Sequence, residues 1–132
     1  MTTFSNPAGV AAPVGQYSHV ARVDLGDKAL LFIAGQVALD PDGNLVGKDD
    51  AGAQTEQILK NILTILAANG GTAQDIVKTT VFVTDIGFRA ATAEARRRVL
   101  GDAAPPSTLV GVTALATPDF LVEIEAVAVV KV

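Results

Sequence analysis

The chain has 132 residues, 49% of them hydrophobic, with ten basic against fourteen acidic side chains. That is the size of one domain, residues 1–132, with apolar content enough for a packed core, which excludes intrinsic disorder. The net charge of −4 and the lack of tryptophan argue against a nucleic-acid binder, and zero cysteines with one histidine exclude disulfides, a thiolate nucleophile and thiolate or two-histidine metal sites.

Residues 1–16, with Pro7, Gly9, Pro13 and Gly15, lack periodicity and read as an irregular lead-in. No basic segment followed by an apolar one marks a secretory signal there. Tyr17–Leu25 and Ala29–Ala34, joined through Gly26-Asp27-Lys28, read as a β-hairpin. Gln36–Leu39 reads as a short third strand, closed by the turn Asp40-Pro41-Asp42-Gly43-Asn44. That turn has the wrong glycine spacing and no distal glutamate for a calcium loop. Ile58, Leu59, Ile62, Ile65 and Leu66 form one apolar stripe on a helix over Ala51–Asn69, capped by Asp49 or Asp50 and stopped by Gly70-Gly71.

Ile76–Thr84 is β-branched and predicts a strand, and Phe88–Leu100 predicts a second helix. Thr108–Leu115 and Leu121–Val130 complete the order β-β-β-α-β-α-β-β. Arg96-Arg97-Arg98 reads as a solvated helix face, because successive helical residues point about 100° apart. The longest apolar run, Ala29–Ala34, is far short of the roughly 20 residues a membrane helix needs. The expectation is a soluble, cytoplasmic protein.

Two helices cover only one face of such a sheet, yet Ala29–Ala34 and the Ala126–Val130 run are apolar on both faces. The second face therefore calls for another copy of the chain. Glu123 and Glu125 interrupt the last strand with period two. They are either a solvent-facing pair on an edge strand or carboxylates whose raised pKa suits proton transfer. Tyr17, the only tyrosine, is either an anchoring aromatic or a ligand-lining phenol. His19 reads as an exposed strand histidine.

Gly15-Gln16-Tyr17-Ser18, Ala34-Gly35-Gln36-Val37, Asp75–Asp85 (DIVKTTVFVTD) and Val122–Val129 (VEIEAVAV) together resemble the RidA family, also called YjgF or L-PSP endoribonuclease-like. The resemblance spans nearly the whole chain. It implies a chorismate-mutase-like α+β fold: a mixed sheet with two helices on one face, in a homotrimer whose sheets pack into a central barrel. It also implies small-molecule ligand clefts between subunits and no cofactor. The best-known members hydrolyse enamine and imine acids such as 2-aminoacrylate to 2-keto acids and ammonia.

In those members an arginine after a Pro-x pair grips the substrate carboxylate. Here the matching stretch is Pro105-Pro106-Ser107-Thr108-Leu109, so Ser107 stands in its place and Leu109 in that of a frequent cysteine. Thr92 matches a frequent asparagine. Tyr17, the Gly35 backbone and Glu123 remain, the last matching a residue that positions the attacking water. Serine lacks the charge of a guanidinium–carboxylate pair. That argues against standard imino-acid deamination unless Arg22 or Arg89 reaches in. The expected ligand is less anionic, held by Tyr17, Ser107 or Thr108 against Leu109. Ligand binding without turnover, or protein interaction, is the alternative, and ribonuclease activity the weakest reading.

Overall fold

The computed structural model describes residues 1–132. Six strands form one sheet: β1 Thr2–Ser5, β2 Val20–Leu25, β3 Lys28–Gln36, β4 Ile76–Val83, β5 Ser107–Gly111 and β6 Val122–Lys131. Their order across the sheet is β1-β2-β3-β6-β4-β5, and only the β4–β5 pair is parallel. A parallel neighbour needs a crossover connection, which helix α2 (Arg89–Leu100) supplies. Helix α1 (Ala51–Ala68) connects β3 to β4.

The apolar stripe of α1 works as its spacing requires: Ile58, Leu59, Ile62, Ile65 and Leu66 are fully buried. They pack on the alternate residues Ala29, Leu31 and Ile33 of β3 and Val122, Ile124, Ala126, Ala128 and Val130 of β6, all in one core. Asp50, not Asp49, caps the helix by accepting from the Ala53 amide at 3.0 Å. Gly70 leaves it at a φ of 79°, a conformation that costs glycine little.

Both helices lie on one face of the sheet. The intervening residues Leu30 and Phe32 of β3, Phe82 of β4 and Val127 and Val129 of β6 are not fully buried, with Phe32 48% exposed. Phe4 pairs with Ala21 and adds a ring 72% exposed. No helix is long and apolar enough to cross a membrane.

Three segments depart from expectation. Thr2–Ser5 is a strand within the stretch expected to be irregular; it is an exposed edge strand with one apolar residue and so carries no alternation. Gln36–Leu39 is not a separate strand. Gln36 ends β3, while the carbonyls of Val37 and Leu39 accept from the side-chain amide of Asn61. Leu39 makes only an isolated bridge to Leu45. The strand expected over Thr108–Leu115 runs over Ser107–Gly111.

A buried glutamine fixes the approach to β6. Gln54 on α1 donates to the carbonyls of Gly47 at 3.0 Å and Asp119 at 2.9 Å, and accepts from the Leu121 amide at 2.9 Å. Its amide thus ties two loops to the helix immediately before Val122. Truncation would strand buried backbone groups, each costing about 1–3 kcal/mol. Gln54→Ala is therefore expected to lower unfolding free energy by about 2–4 kcal/mol, read by chemical denaturation; a change within error would show that water replaces these bonds.

Candidate functional site

Glu123 lies on β6, a central strand with β1, β2 and β3 on one side and β4 and β5 on the other. The reading of Glu123 and Glu125 as an edge-strand pair therefore fails. Both project from the uncovered face, opposite Phe82 and Thr80 of β4. Glu125 is exposed and Glu123 half-buried. No basic side chain pairs with Glu123 inside the protomer. Burial, and secondarily the charge of Glu125, push its carboxyl above the ordinary 4.5.

Gly35 explains how this carboxylate is housed. It sits in the irregular stretch between Ile33 and Gln36 where the β3–β6 register shifts. A Cβ at residue 35 would stand 2.7 Å from Glu123 Oε2 and 2.9 Å from its Cδ, closer than atoms pack. The missing side chain is the space the carboxylate occupies. On the far side, Gly35 joins Tyr17, His19, Gln36, Asn61 and Phe120 around a cavity of about 260 Å³. Tyr17 also borders an open groove with Phe4, Gln16, Ala21 and Phe32.

Tyr17 precedes β2 instead of opening it, and its amide donates to the Gly15 carbonyl at 2.9 Å. His19 is not an exposed strand histidine. It is 2% exposed, its Nε2 lies 2.8 Å from the Ala11 carbonyl oxygen, and its amide donates to Asn6. The lead-in residues that looked unstructured wrap over it.

Ser107, Leu109 and Thr92 gather elsewhere. They line a separate cavity of about 350 Å³ with Arg89, Ala93 and Arg96, between α2 and β5 on the helix-covered face. Thr92 is 1% exposed and its hydroxyl donates to the Arg89 carbonyl at 2.8 Å. Leu109 forms a wall against the core. Thr108 is not with them: alternation along β5 sends it to the opposite face, where Lys78 Nζ donates to its hydroxyl at 2.6 Å.

The arginines also sort themselves. Arg22 pairs with Asp24 at 3.0 Å and donates to the Asn69 carbonyl, away from both cavities. Arg89 does reach the Ser107 cavity. Arg96 belongs to the run expected on a solvated face, yet its Nη1 donates to Ser107 Oγ at 3.1 Å. The three arginines diverge as helix geometry requires, and that divergence aims one of them inward. The signal available in sequence was the seven-residue spacing of Arg89 and Arg96, which places both on one helix face.

The candidate residues thus form two clusters. Glu123 is level with Phe82 and Ser107 with Thr79, two strands away. Strand spacing and rise put the two backbones about 14 Å apart on opposite faces of the sheet. One protomer cannot close both around one small ligand.

The raised pKa of Glu123 has a defined sign for stability. The fold favours its protonated form, so this contribution is full below the ordinary pKa and is lost as pH rises through the raised one. Glu123→Gln is accordingly expected to raise the melting temperature more at neutral pH than in acid. An equal shift at both would contradict the assignment. Carboxyl NMR of the Glu125→Gln protein should show Glu123 still above 4.5, since burial is the larger cause.

Comparison with known proteins agrees with this architecture. The family described as Endoribonuclease L-PSP matches residues 9–130. A RutC family protein of Pyrococcus horikoshii is 37% identical over 116 residues, 88% of each chain. Protein DfrA of Myxococcus xanthus is 36% identical over 88% of this chain and 86% of its own. Among solved structures, RidA from an Antarctic Psychrobacter superposes with a TM-score of 0.84 at 32% identity, covering 97% of this chain and 99% of that one. Escherichia coli TdcF with bound serine gives 0.84 at 29% identity, covering 98% and 99%. The chain belongs to the RidA/YjgF family, the family described as Endoribonuclease L-PSP.

Proposed function

We propose that this protein is a cofactor-independent hydrolase of small enamine- or imine-type metabolites, working in clefts that a second copy of the chain completes. The observation that carries the reading is the unpaired, half-buried Glu123 carboxylate lodged in the space left by Gly35, with Tyr17 on the other side of that glycine. An acid with a raised pKa exchanges protons closer to neutrality than an ordinary carboxylate does.

The chemistry balances without a cofactor. Glu123 takes a proton from water as its oxygen adds to the carbon of a C=N bond. Glu123 returns that proton to the nitrogen, the new hydroxyl group gives up its own proton to the nitrogen as well, the C–N bond breaks, and ammonia leaves behind a carbonyl group. Tyr17 is placed to hold a polar group of the ligand. Ser107, Leu109 and Thr92 of a neighbouring copy form the opposite wall.

A homotrimer with its sheets turned inward is the assembly the family resemblance implies. The apolar face carrying Phe32, Val127 and Val129 supports such a partner. Arg96 beside Ser107 restores a cation where the strand lacks one, which removes the reason for expecting a less anionic ligand.

Ligand binding without turnover is the second reading. Ser107 favours it, as does TdcF, a relative solved with bound serine. Ribonuclease activity, carried in the family description, fits least with a net charge of −4 and no tryptophan.

The test couples a PLP-dependent dehydratase that releases 2-aminoacrylate to this protein and follows pyruvate formation. Glu123→Gln should lower the accelerated rate by about a hundredfold or more with unchanged assembly. Gly35→Ala, whose Cβ displaces the carboxylate, should lower the rate with little loss of melting temperature. Full activity in Glu123→Gln would contradict the role of Glu123. No acceleration by the unaltered protein, together with binding of the ligand, would favour the second reading.

A further inference from the structure

Of the three successive arginines on α2, Arg98 is engaged with acids: it meets Glu94 at 3.3 Å and Glu56 at 4.0 Å. Arg96 has no carboxylate within 4.0 Å and turns onto Ser107. Arg89 has none either and borders the same cavity. Seven helical residues return to within about 20° of the starting direction, about 10.5 Å along the axis. Arg89 and Arg96 therefore flank the cavity from one helix face, with Thr92 and Ala93 between them.

Three of the four polar lining residues, Arg89, Arg96 and Ser107, can donate. Ser107 Oγ accepts from Arg96 Nη1 at 3.1 Å and from Thr79 Oγ1 at 2.9 Å, which leaves its own proton free to donate. The Thr92 hydroxyl proton is already committed to the Arg89 carbonyl. No aspartate or glutamate lines the cavity. Two arginines lining one space of about 350 Å³, in a chain of net charge −4, are a local concentration of positive charge with no ion-pair partner in the protomer.

One carboxylate saturates one guanidinium fork. Two forks rooted two helical turns apart suit a ligand whose charges are separated by several bonds. We propose that this cavity binds a small organic acid with two anionic groups, one held by Arg96 and Ser107 and the other by Arg89. The strand arginine replaced by Ser107 is thus exchanged for a helix-borne pair that selects a dianionic acid. As a statement about the substrate, this rests on the hydrolytic reading; as a statement about binding, it does not need turnover.

Calorimetric titration of the whole protein with succinate, pyruvate, methyl pyruvate and inorganic phosphate tests it. Succinate should bind at least tenfold more tightly than pyruvate, and methyl pyruvate should bind weakest. Arg89→Met should bring succinate down to the level of pyruvate while leaving pyruvate unchanged. Arg96→Met should weaken both at least tenfold, and Arg96→Lys should recover part of the loss, which separates lost charge from lost folding. Succinate binding no tighter than methyl pyruvate, or insensitive to both arginine substitutions, would overturn the proposal. So would phosphate matching succinate, because a single compact anion needs no second arm. Failure of the hydrolytic reading is distinguishable: the unaltered protein would then not accelerate pyruvate release in the coupled assay, whatever the titrations give.

Discussion

Two helices cover one face of a six-stranded sheet and leave the other bare, and most of the remaining structure depends on that imbalance. The covered face is an ordinary core in which α1 packs on the alternate residues of β3 and β6. The bare face carries Phe4, Phe32 and Val110, all substantially exposed, and in its middle Glu123. Burial of this carboxylate on a central strand, and secondarily the like charge of Glu125, is why its proton is held more tightly than usual.

The same alternation divides the candidate residues. Ser107 and Leu109 point toward the helices, whereas Thr108 points with Glu123 toward the bare face. Two successive residues of β5 thus belong to different surfaces, and the Ser107 cavity and the Glu123 niche cannot merge within one chain. A second copy is the economical way to unite them, with the uncovered face as its docking surface. Gly35 and Gln54 then have complementary local roles: one leaves room for the carboxylate, and the other holds the chain that leads into β6.

Much of this was legible in sequence. The stripe Ile58, Leu59, Ile62, Ile65, Leu66 and the stop at Gly70 specify α1 through local periodicity, and apolar runs on both faces foretell a face without cover. What sequence did not show were interactions between distant segments. Asn61 captures the Val37 and Leu39 carbonyls and so prevents a strand, 22 or more residues away. The edge strand Thr2–Ser5 is specified by pairing with β2, not by its own composition. His19 is buried by residues of the lead-in, and period two alone cannot tell a central strand from an edge. Arg96 was hidden by its neighbours: a run of three arginines looks solvated, and only the fold shows which of them faces Ser107.

The central claim is that one site is built from two copies, Glu123 and Gly35 from one and the Arg96–Ser107–Leu109 wall from the next. Subunit complementation tests it most directly. Glu123→Gln and Leu109→Trp proteins, the second with its cavity filled, are each expected to be inactive alone in the coupled deaminase assay. Dissociated and reassembled together, they should regain activity, because some clefts in the mixed assembly pair an intact Glu123 with an intact cavity. Mixed assemblies that form, as shown by native mass spectrometry, yet stay inactive would contradict a shared site.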